Sequence, residues 1–126
     1  TLILDLTFNQ NYFERMIHHE IFHMIDNSFP ELFKKNQWSE LNNKDFSYAS
    51  CSTCTDLLGL DLEITKGFLT EYSMSTAEED MAEIYSLLKT NFKEIDLLIK
   101  KDNILTKKKN FLINGLREID EKFIFE

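Results

Sequence analysis

Three glycines and one proline in 126 residues leave this chain few places to turn sharply. A sandwich or barrel of short strands needs a turn signal roughly every 8–12 residues, and Gly and Pro supply most of them. The scarcity therefore points to helices. Hydrophobic residues make up 43% of the chain and include 11 Phe, enough to build a core and to exclude disorder as the main state. The length suits one domain spanning residues 1–126.

Hydropathy patterning divides the chain. Leu2, Leu4, Leu6 and Phe8 alternate with Thr1, Ile3, Asp5 and Thr7, Ile3 being the exception on the polar face, and that period of two predicts a short strand over residues 1–8. A strand so short needs a partner, so part of its sheet would lie outside this chain. Asn9 or Asn11 can cap a following helix on which Phe13, Ile17, Ile21, Met24 and Ile25 form one apolar stripe, stopped by Phe29-Pro30. Residues 31–63 read as an ordered loop holding Trp38, Leu41, Phe46 and Tyr48, with a short helix open to Leu32 and Phe33. Ser75-x-x-Glu78 and Thr76-x-x-Glu79 both fit a capping box for a helix carrying Met81, Ile84, Tyr85 and Leu88. A further segment holds Ile95, Leu97, Leu98 and Ile99, and a last helix over about residues 106–123 turns Leu112, Leu116, Ile119 and Phe123 inward. The expected fold is mainly α, with α+β open through the N-terminal strand.

Charge narrows the partners. Fourteen basic against 22 acidic residues give a net charge of -8, which repels phosphate backbones and argues against nucleic acid. Lys107, Lys108 and Lys109 form the only basic cluster and read as a solvated helix face. No apolar run reaches the roughly 18 residues needed to span a bilayer. Residues 1–8 lack the basic start of a signal peptide, and the missing initial Met reads as a mature product or an excised domain, possible truncation at the N-terminus included. The sequence leaves the compartment open; a secreted or cell-envelope location is the expectation. Cys51 and Cys54 cannot by themselves build a four-ligand zinc site. They read as two loop thiols, a disulfide over so short a span being the strained alternative.

The chemistry concentrates in His18-His19-Glu20-Ile21-Phe22-His23, which contains H-E-x-x-H at His19, Glu20 and His23. Residues four apart on a helix share a face, so both imidazoles can reach one zinc ion. Glu20, beside His19, can take a proton from water held by that ion. His18 points roughly 100° away and is no ligand. The three-His metzincin extension would need Gly and His where Asp26 and Phe29 stand, so it is excluded. A gluzincin instead draws its third ligand from a Glu on a later helix, and residues 72–83 offer one.

His19-Glu20-x-x-His23, followed by Gly67-Phe68 to Tyr72 and by Glu79-Asp80-x-Ala82-Glu83, resembles a zinc-binding metallopeptidase family of the gluzincin type, similar in its catalytic core to the anthrax lethal-factor-like peptidase domain. Trp38-Ser39-Glu40-Leu41-Asn42, with Phe46 and Tyr48, is similar to the connecting loop of such proteins. The resemblance covers about residues 10–90 and implies a zincin-like helical core around the H-E-x-x-H helix. It implies Glu79 as third zinc ligand, Tyr72 as a hydrogen-bond donor to the oxyanion, and Glu83 behind one of the imidazoles. Glu78 is the other candidate ligand, because Thr76 can use Glu79 in a capping box. Phe22 stands where a Gly is common before the second His, which predicts a less closely approached helix.

Three functions follow. The first is a zinc metallopeptidase acting on a peptide or protein substrate. The second is a non-catalytic zinc-binding domain of the same fold, used as a protein-binding module. The third is a helical interaction module with an incidental His cluster.

Overall fold

The structure, a computed structural model, describes residues 2–126, with side chains from residue 11 onward. Five helices surround one small hairpin: α1 (Leu2–Ser28), α2 (Lys35–Ser39), β1 (Leu62–Thr65), β2 (Phe68–Thr70), α3 (Ala77–Thr90), α4 (Phe92–Lys100) and α5 (Asn103–Ile119). Single 3-10 turns at Pro30–Leu32 and Tyr72–Met74 lead into α2 and α3. The fold is mainly helical, as the shortage of turn residues predicts.

The strand expected over residues 1–8 is corrected. Residues 2–8 are the opening turns of α1, and Thr1 lies outside the described residues. No Gly or Pro interrupts the chain before Pro30, so helix propagates past both candidate caps, Asn9 and Asn11. The predicted stop is where it should be: Phe29 leaves the helical region at φ -133°, as residues before proline do.

α1 packs along α3, and of its predicted apolar stripe Ile21 and Ile25 pack partly buried against the core while the rest turns outward. Met24 is 68% exposed and Ile17 42%, and Phe13 also faces solvent. The inward stripe is Arg15, His19, Phe22 and Asp26, at helical spacing. Its polar members are paired, Asp26 with Lys35 Nζ at 2.6 Å and Arg15 and His19 with Glu83. Phe22 is fully buried, its ring 5.2 Å from Phe33 and 5.3 Å from Tyr85. Bulk at this position serves as a core knob joining α1 to α3.

The antiparallel hairpin, not expected from the sequence although Leu62-Glu63-Ile64-Thr65 alternates, pairs Leu62 with Thr70 and Thr65 with Phe68. Gly67 turns it with φ +88°. A Cβ there would stand 2.8 Å from Ile104 Cγ2, so both conformation and space require glycine. α5 holds the tip: Asp102 Oδ2 accepts from Gly67 N at 2.8 Å, and Lys108 Nζ donates to Gly67 O at 2.7 Å. Lys108 thus leaves the expected solvated face and is fully buried. Ile119, expected inward, ends α5 exposed, while Leu112 and Leu116 are buried as predicted. Cys51 and Cys54 are joined as a disulfide rather than standing as two loop thiols.

Candidate metal centre

His19, on the inward stripe of α1, and His23, one turn later at its edge, bring two imidazoles to the start of α3. Thr76 caps α3, its Oγ1 accepting from Glu79 N at 3.2 Å. Ser75, the equally good cap by sequence, instead donates its hydroxyl to Tyr72 O at 2.6 Å. The cap uses only the backbone of Glu79, so its carboxylate is free to face α1. Glu78 is exposed and does not join the cluster.

Glu79 Oε1 lies 3.2 Å from His19 Nε2 and 2.5 Å from His23 Nε2, and the two Nε2 atoms are 3.1 Å apart. His19, His23 and Glu79 each offer one ligand atom, all within 4.8 Å of one another. Four ligands held tetrahedrally at about 2.0–2.1 Å from zinc stand roughly 3.3 Å from each other. Two imidazole nitrogens and a carboxylate aimed at one point need a cation between them, a proton or a metal. The donor chemistry fits zinc, as do the 3.1 and 3.2 Å separations, whereas Glu79 and His23 stand closer than two ligands of one ion.

The neighbours hold these groups in place. His19 Nδ1 lies 3.0 Å from Glu83 Oε2, so a proton on Nδ1 leaves the Nε2 lone pair toward Glu79. Tyr72 OH donates to the second oxygen, Glu79 Oε2. Burial alone would lower the pKa of His19, but hydrogen bonds to Glu79 and Glu83 outweigh it and raise the value to about 9. Burial pushes Glu79 up, yet its bonds to His19, His23 and Tyr72 hold the carboxyl well below its usual range. Burial and the Glu79 carboxylate push the Tyr72 phenol up to about 12.

Of the residues singled out from sequence, the fold brings together His19, His23, Glu79, Tyr72 and Glu83. Glu20 stands apart: it is exposed on α1 next to the cluster and makes no hydrogen bond to those five among the described residues. His18 is turned away, its ring edge-on to Tyr85 at 6.4 Å. Two contributors escaped the sequence reading. Arg15 NH2 donates to Glu83 Oε1 at 2.9 Å, and Thr70 Oγ1 donates to the same oxygen at 2.8 Å. Arg15 was findable, since it lies one turn before His19 on the face both histidines define. Thr70 carried no signal.

A family model described as "Putative zinc-binding metallo-peptidase" matches residues 4–125. Among curated proteins and solved structures, none matches the chain.

Proposed function

The chain belongs to the family described as "Putative zinc-binding metallo-peptidase", and from that premise we propose that it hydrolyses peptide bonds at a gluzincin-type centre similar to that of lethal-factor-like peptidases. His19, His23 and Glu79 would hold the metal. The observation that carries this reading is their convergence from positions up to 60 residues apart in sequence, with one ligand atom from each within 4.8 Å of the others. A zinc ion, when bound, supplies Lewis acidity and brings the pKa of a coordinated water to about 7.

The remaining work belongs to the chain. Glu20 is the general base, an exposed carboxylate one residue from the first imidazole and free to take a proton from water and return it to the leaving amine. Tyr72 turns its hydroxyl toward the cluster and donates a hydrogen bond to the oxyanion that develops on the scissile carbonyl. Glu83 fixes the ring of His19 through Nδ1.

Glu20→Gln tests the reading. It keeps size and shape but cannot take the proton, so zinc content should stay at one per chain while turnover falls by about 10²-fold or more. His23→Ala should lose the metal. Peptide cleavage by Glu20→Gln at the parental rate would remove this mechanism. A parent that holds zinc and cleaves no member of a peptide library would favour the non-catalytic binding domain instead.

A further inference from the structure

Glu83 is fully buried, and its two oxygens have separate partners. Oε2 faces His19 Nδ1 at 3.0 Å. Oε1 accepts from Arg15 NH2 at 2.9 Å and from Thr70 Oγ1 at 2.8 Å. Thr70 is itself pinned: its amide donates to Ser73 Oγ at 3.0 Å, and Ser73 Oγ donates back to Thr70 O at 2.6 Å. One carboxylate thus ties α1, β2 and α3 together directly behind a candidate ligand.

A Glu side chain rotates easily about its last bond, so a single contact to His19 would not fix the imidazole. Two donors on Oε1 remove that freedom. The guanidinium also balances a buried negative charge that would otherwise be costly to keep there. We propose that Arg15 is a positioning residue for the metal centre: with Thr70 it occupies Oε1 of Glu83, leaves Oε2 as the sole acceptor for His19 Nδ1–H, and so aims the Nε2 lone pair at the ion. The inference rests on the reading of His19, His23 and Glu79 as a zinc site.

Arg15→Gln should fold, because Arg15 borders a cavity of about 240 Å³ shared with Asn11, Tyr12, Leu62 and Asn91, so water can reach the shortened side chain. Thermal unfolding checks this, and Thr70→Val, which removes only the second donor to Oε1, carries the same test independently. Zinc affinity is measured by chelator competition for the parent, Arg15→Gln, Arg15→Lys, Glu83→Gln and the Arg15→Gln/Glu83→Gln double variant. Nitrogen-15 shifts of the imidazoles report the His19 tautomer. Loss of a group that orients a ligand costs roughly 10- to 100-fold in metal affinity. Arg15→Gln should weaken zinc binding by about tenfold and mix the His19 tautomers, Arg15→Lys should recover part of the loss, and Arg15→Gln should add nothing once Glu83 is Gln. Parental zinc affinity in both Arg15→Gln and Thr70→Val, or an equal loss on adding Arg15→Gln to Glu83→Gln, overturns the proposal. A parent that binds no zinc overturns the metal reading itself.

Discussion

Lys108 Nζ donates to Asp80 Oδ2 at 2.7 Å, with neither side chain exposed. The same oxygen accepts from Tyr48 OH at 2.6 Å and Trp38 Nε1 at 3.0 Å, and the ammonium lies 3.9 Å from the Phe68 ring centroid. A cation on α5, an anion on α3 and three aromatic residues thus form one polar knot inside the core, one residue beyond Glu79. Removing one partner leaves a buried charge uncompensated, at a cost of about 3–5 kcal/mol. Lys108→Ala should therefore lower the free energy of unfolding, measured by urea denaturation, by that amount, whereas Lys107→Ala, on an exposed position, should stay within about 0.5 kcal/mol. Equal, small effects would mean that Lys108 is solvated after all.

Phe22 and Met24 give a second contrast. Phe22→Ala empties a fully buried site between Phe33 and Tyr85 and should cost about 3–5 kcal/mol. Met24→Ala, on a side chain 68% exposed, should change stability by less than about 0.5 kcal/mol. The reverse ranking, measured by denaturant unfolding, would put the apolar stripe of α1 in the core.

Tyr72→Phe removes one hydroxyl that points at Glu79. Zinc content and KM should stay near the parental values while kcat falls, the signature of an interaction made mainly in the transition state. A raised KM with unchanged kcat would reassign Tyr72 to substrate binding.

The metal-free protein should respond to pH through the same cluster. His19 is raised from 6.5 to about 9, so its contribution to stability is complete below pH 6.5 and is lost as pH climbs through 9. Glu79 is lowered from 4.5, so its contribution holds above that pH and fades as pH falls below it. The two describe one ion pair, which should stabilise the metal-free fold most between about pH 4.5 and 6.5. Zinc must displace the His19 proton, so its affinity should rise from pH 6.5 toward 9 while metal-free stability declines. Chelator competition and urea midpoints at matched pH read the two trends, and metal-free stability rising over that range contradicts the pairing.

Much of the helical plan was legible because helices carry their own punctuation. Phe29-Pro30 ends α1 and Ser75-Thr76 precedes α3 where expected. The H-E-x-x-H spacing and the Glu at position 79 also named groups that converge in space. Orientation was not legible. Asp26 was assigned no inward role, yet it is paired with Lys35, and Arg15 is paired across an interface with Glu83, 68 residues away, a partner that no local pattern reveals. Lys108 failed for the same reason, since Asp80 lies 28 residues away. The hairpin was missed although Leu60, Leu62 and Ile64 alternate with Asp61, Glu63 and Thr65 before Gly67, because β1 is only four residues long and buries neither face. The opening strand failed because a short run of Leu and Ile suits either period until its continuation decides.

The candidate centre is divided along the chain: His19, Glu20 and His23 come from α1, while Tyr72 and Glu79 arrive 49 to 60 positions later. Neither half is a reagent alone. A nascent chain that has emerged through α1 but not α3 carries an inert pair of histidines, and a chain cut between the halves and separated is equally harmless. Assembly of the fold is therefore also the arming step, so the hydrolytic chemistry proposed here can first appear only when α1 and α3 have docked.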